Sequence, residues 1–191
     1  MADLTLASTG AEIDASVDFS KNFTPFNPTT GMLVERLIDG VSTAISQEPT
    51  GKGFANAIDV NFGPAITTAA VDLSAAGVLT FKEPGMYSLK VSGQIGRTGQ
   101  SSVSEVFLRF LVNGVQAGRS VGFKLNNSNV LQYLDIDTTV NIPAGATVAV
   151  QFMRDISGHN SGGLFSVSPT SEGVGTWNDS PSADIRVDRF V

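Results

Sequence analysis

Glu105-Val106-Phe107-Leu108-Arg109-Phe110-Leu111-Val112 is a strand with apolar residues on both faces, and its reading decides the fold. Successive side chains of a strand point to opposite sides. Val106, Leu108, Phe110 and Val112 can therefore fill a core, while Phe107, Arg109 and Leu111 share the other face. A sandwich that leaves that face to water has no use for Phe107 and Leu111 there. They call for a second cover, most simply another copy of the chain.

Working outward, Asn113-Gly114 is the strongest short hairpin signal, and Val115–Phe123 returns from it. Val130–Ile142 alternates Leu134, Ile136, Val140 and Ile142 against Asp135, Asp137, Thr139 and Asn141. Pro143-Ala144-Gly145 turns the chain into Thr147–Met153. Upstream, Met86–Ile95 is the cleanest strand, with Tyr87, Leu89, Val91 and Ile95 on one side. Ala57–Phe62, Val71–Leu73, Val78–Phe81, Leu164–Val167 and Ala183–Val187 supply shorter runs. Eight to ten strands at close spacing, with no strong helix between them, predict an all-β antiparallel sandwich of the jelly-roll kind.

The N-terminal part reads differently. Residues 1–50 are expected to be an arm and 51–191 the jelly-roll domain. Thr9-Gly10-Ala11-Glu12 fits a capping box, and Ile13 and Val17 follow at helical spacing. Phe23 and Phe26 stud a Pro-rich tether. Val34, Leu37, Ile38, Val41 and Ile45 recur at three/four spacing, which predicts a second helix over 31–46, with a strand fragment or ordered loop as the competing reading. Gln47–Gly53 reads as a hinge. Its Gly-Lys is not a phosphate loop, because no Ser/Thr follows Lys52.

The chain has 191 residues and no cysteine, so disulfides and thiolate chemistry are excluded. Charged residues make up 16% and the net charge is −6. Twelve scattered Lys and Arg argue against phosphate neutralisation, so no nucleic acid is expected. No apolar run approaches a membrane span, and no secretory signal is visible at Met1-Ala2-Asp3-Leu4. No membrane partner is expected, and synthesis in a host cytoplasm is.

Catalytic groups are sparse. His159 is the single histidine; it reads as a loop residue beside turn-forming Asn and Gly, and one histidine cannot make a multi-histidine zinc site within one chain. Asp135 and Asp137 share the polar face of one strand, poor geometry for a pair of carboxylates facing across a cleft. Trp177, beside Asn178, could stack a sugar ring or pack over a sheet end. No enzyme activity, metal or cofactor is expected.

Three segments resemble the tumour-necrosis-factor/complement type of jelly roll. They are Gly77-Val78-Leu79-Thr80-Phe81-Lys82-Glu83-Pro84-Gly85-Met86-Tyr87, Phe110-Leu111-Val112-Asn113-Gly114, and Val140-Asn141-Ile142-Pro143-Ala144-Gly145-Ala146-Thr147-Val148. In the last, Ala146 stands where Asp is common in that family. The resemblance implies a tight homotrimer, with Phe107, Arg109 and Leu111 at its interface. Thr9-Gly10-Ala11-Glu12-Ile13-Asp14-Ala15-Ser16-Val17 resembles a phrase near the start of many tailed-phage fibre and head-attached proteins. That implies a virion protein anchored through Ile13, Val17, Phe23 and Phe26. The leading expectation is a homotrimeric capsid cement or decoration protein whose arm binds the major capsid protein. The alternative is the receptor-binding tip of a short tail fibre, with Trp177 and Asn178 contacting a cell-surface glycan.

Overall fold

A computed structural model describes residues 34–43, 46–97, 102–127, 130–169 and 177–190. Its strands are β1 (Val34–Thr43), β2 (Ile58–Asp59), β3 (Ile66–Thr67), β4 (Val71–Leu73), β5 (Leu79–Phe81), β6 (Gly85–Arg97), β7 (Ser104–Val112), β8 (Val115–Leu125), β9 (Val130–Ile142), β10 (Thr147–Arg154), β11 (Gly163–Leu164) and β12 (Ala183–Phe190). A 3-10 turn covers Phe54–Asn56.

The strands form two antiparallel sheets. In the first, β1 pairs β12, β12 pairs β6, and β9 lies on the other side of β6, with β11 continuing the β12 side. In the second the order is β3-β4-β5-β10-β7-β8, with β2 also on β10. The facing sides enclose one core that includes Phe62, Phe81, Tyr87, Leu89, Leu108 and Phe152. This is an antiparallel jelly-roll sandwich, as the strand spacing predicts.

The quoted strand is β7, and its alternation holds: Val106, Leu108 and Phe110 are buried in the core. At Asn113-Gly114 both φ angles are positive, 49° and 77°, as a two-residue hairpin turn of the primed kind requires. Gly77 has φ 80°, and a Cβ there would lie 2.1 Å from the Val60 carbonyl oxygen, so only glycine fits. Tyr87 is wholly buried, its ring edge-on to Phe81 at 4.6 Å, and its hydroxyl donates to the Glu83 carbonyl at 2.8 Å. Burial pushes its phenol pKa up.

Two expectations for the N-terminal part need correction. The helix predicted over 31–46 is, for its described part, the ten-residue strand β1. Its register against β12 slips between Arg36 and Ile38 and again between Ile38 and Val41. Each slip adds one residue to β1, which stretches a two-residue period into three/four spacing. Ile38 still reaches the core. The hinge at 47–53 is also stitched to the sandwich. Gln47 donates to the Asn61 carbonyl and the Ser182 hydroxyl and accepts from the Asn61 N–H. Residues 34–43 and 46–50, assigned to the arm in the sequence, therefore belong with the sheets. Ile13, Val17, Phe23 and Phe26 lie outside the described residues.

Candidate binding surfaces

The outer face of β7 carries Phe107, Arg109 and Leu111, and the single chain covers most of it. Leu111 is 8% exposed. Phe107 is half-buried: its ring lies over the β8 backbone, where a Cβ on Gly122 would come within 2.6 Å of it. Arg109 donates through Nε and Nη2 to Gln151 Oε1 at 3.0 and 2.6 Å, and through Nη1 to Gln116 Oε1 at 3.4 Å. The chain itself buries Leu111 and leaves Phe107 and Arg109 half-buried.

A cleft of about 260 Å3 opens on this face, between Phe54, Phe107, Arg109, Gln116, Gln151 and Asp155. Phe54 stands on the 3-10 turn, and the Arg109 guanidinium sits 5.8 Å from its ring centre. The turn is fixed: the Gly53 N–H donates to the Arg154 carbonyl at 2.8 Å, and Lys52 Nζ donates to the carbonyls of Ile156 and Gly158. Asp155 accepts from the Ser157 hydroxyl and, at 2.9 Å, from the Ser157 N–H. Those bonds, the hydroxyl first, hold its carboxyl below the usual aspartate range.

A different surface is left open. β8 and β9 are the edge strands of the two sheets on the same side of the sandwich. They approach at Gly118, where a Cβ would meet Thr138 Oγ1 at 3.4 Å. Ala117, Val121 and Phe123 pair with Phe110, Leu108 and Val106, so they face the core side. Yet Val121 is 36% exposed, and Ala117, Phe123 and Val140 are only half-buried. The two sheets are not sealed along this mouth.

Trp177 is 78% exposed and Asn178 is exposed as well. Neither lines a described cleft. A second hollow of about 400 Å3 lies near them in sequence, between Ser92, Gln94, Tyr133, Pro181 and Asp184. Asp135 pairs with Lys90 at 3.0 Å on an exposed strand face. That hydrogen bond raises the Lys90 pKa.

His159 is half-buried. Its Nδ1 lies 3.3 Å from Ser161 Oγ, which lies 2.7 Å from Ser104 Oγ. No carboxylate is hydrogen-bonded to the ring among the described residues, so the third group of a hydrolytic triad is missing there. No cluster of three metal-ligating side chains occurs among the described residues, and none of their helices is long and apolar enough to cross a membrane.

No protein-family model matches the chain, and no curated protein matches it in sequence. Solved structures do match. One is the globular domain of a zebrafish complement 1qA protein, at 14% identity, covering 82% of this chain and 97% of that one with a TM-score of 0.40. The chain is similar to that domain. At this identity and score, the likeness carries nothing about ligand or assembly.

Sequence reasoning missed Phe54, which builds the first cleft. Phe54, in a Gly/Pro-rich stretch, showed no alternation to place it. The one signal for Phe54 is a large aromatic in a segment otherwise made of small and polar residues.

Proposed function

We propose that this chain is a structural assembly protein that works as a homotrimer, a cement or decoration protein of a phage head. The observation that carries the self-association is the unsealed mouth between β8 and β9, where core-facing Val121 is left 36% exposed. Packed against a different surface of the next copy, the mouth would make head-to-tail contacts, which form a ring where the rotation between copies closes. The choice of three copies and of a phage head rests on the phrase and jelly-roll resemblances. A ligand that binds only the assembled shell stabilises it by mass action, and three linked arms raise the effective concentration of each contact. Imaging the virion that carries this chain tests the placement. Density on the head at three-fold positions is expected; density confined to the tail would overturn it.

One observation favours the second reading, a receptor-binding fibre tip. Trp177 is the most exposed of the large apolar side chains described, and an exposed indole suits stacking on a sugar ring. Binding of purified protein to host cells, abolished in Trp177→Ala, would put this reading first.

A further inference from the structure

We infer that the cleft between Phe54 and Arg109 is a binding site for an acidic sugar, a single pyranose ring carrying a carboxylate. Every residue that builds it comes from one chain; it does not rest on the virion placement, and it requires that copies pack through the β8–β9 mouth and leave this face of β7 open.

Size comes first. Small-molecule sites usually run from about 300 to 1,000 Å3, and this cleft, at about 260 Å3, suits one ring rather than an extended chain. Its walls have the two kinds of surface a sugar needs. Phe54 is 73% exposed on a turn anchored by backbone bonds, and Phe107 lies half-buried at the base. Aromatic rings held in place can cover the C–H face of a pyranose. Gln116, Ser120 and Asp155 bring hydrogen-bonding groups to the same cleft. Asp155, its carboxyl held below the usual aspartate range by Ser157, can accept from sugar hydroxyls.

Arg109 sets the charge of the ligand. A guanidinium has five N–H donors; three are engaged, two on Gln151 and one on Gln116, which leaves two. Its hydrogen-bond partners are neutral amide oxygens, and it makes no ion pair to a carboxylate among the described residues. Gln151 is itself oriented, donating through Nε2 to Asp59 Oδ1 at 3.4 Å, so its carbonyl is turned to the arginine. Asp155, the sole carboxylate lining the cleft, is bonded to Ser157. A positioned guanidinium without a carboxylate partner, beside an exposed ring, is suited to a planar anion attached to an apolar-faced ring.

The test is saturation-transfer NMR and calorimetry on the full chain with methyl glucuronide, methyl glucoside and sodium acetate. The glucuronide should bind, and the glucoside at least about tenfold more weakly, the loss expected for one charge-assisted pair. Phe54→Ala removes an exposed ring, so the variant should fold; it should lose binding, as should Arg109→Gln. Trp177→Ala should bind like wild type. Three results would each overturn the inference: equal binding of glucoside and glucuronide, no glucuronide signal at millimolar concentration, or unchanged binding in Phe54→Ala. Acetate competing fully while Phe54→Ala has no effect would show a bare guanidinium contact, which also overturns it.

Discussion

Arg97 is the residue whose chemistry stands furthest from its surroundings. It is 1% exposed, Nη2 donates to the Asn126 carbonyl at 3.0 Å, and Nε and Nη1 have no hydrogen-bond partner among the described residues. Alternation along β6 puts it on the core side, and the cost of a desolvated, incompletely bonded cation is several kcal/mol. Arg97→Met should therefore raise stability by about 1–4 kcal/mol, read as a higher urea midpoint at unchanged slope. A lower midpoint would mean that the guanidinium is satisfied in solution. In the sequence this stretch, Gly96–Ser102, reads as a loop, because an arginine among glycines and serines gives no hint of burial. Asp155 offers a pH prediction. Its pKa is lowered in the folded chain by Ser157, so its stabilising contribution is present above the ordinary aspartate range near 3.9. That contribution is lost as pH falls through the lowered value. Ser157→Ala should flatten the acid limb of the stability–pH curve in that window; an unchanged limb would contradict it.

At the level of elements, β6, β9 and β10 were legible because each carries a long alternating run, strict along β10 and over Tyr87–Ile95 of β6 and Leu134–Asp137 of β9; Val130–Ile142 comes out with the bounds read from the sequence. β1 was not legible, because two bulges convert its period from two to three/four, the spacing that otherwise marks a helix. The outer face of β7 is packed in a way the strand alone does not disclose. Apolar residues there look unpartnered in one dimension, but Gly122 across the ladder seats Phe107, and the amides of Gln151 on β10 and Gln116 on β8 hold Arg109 from either side. Cross-strand neighbours like these are set by register, which no single strand discloses. Since Ile38 anchors β1 in the core at 2% exposure, Ile38→Ala should cost about 2–5 kcal/mol in chemical denaturation. A loss well under 1 kcal/mol would mean that β1 is not part of the cooperative sandwich.

For the whole molecule, the jelly roll followed from strand count, turn chemistry and low helix content, whereas the places where it meets other molecules did not. The open mouth arises where two edge strands from different sheets fail to close over Val121, and the sugar cleft arises where a turn before β2 folds over β7 and β10. Both depend on how distant segments come together. Assembly is the claim on which the account turns, and light scattering during gel filtration at micromolar concentration tests it directly. The account predicts a mass of three protomers, each 19.9 kDa, falling to one protomer in Val121→Asp with the circular dichroism of the sandwich intact. A wild-type chain that elutes with the mass of a single protomer would contradict it.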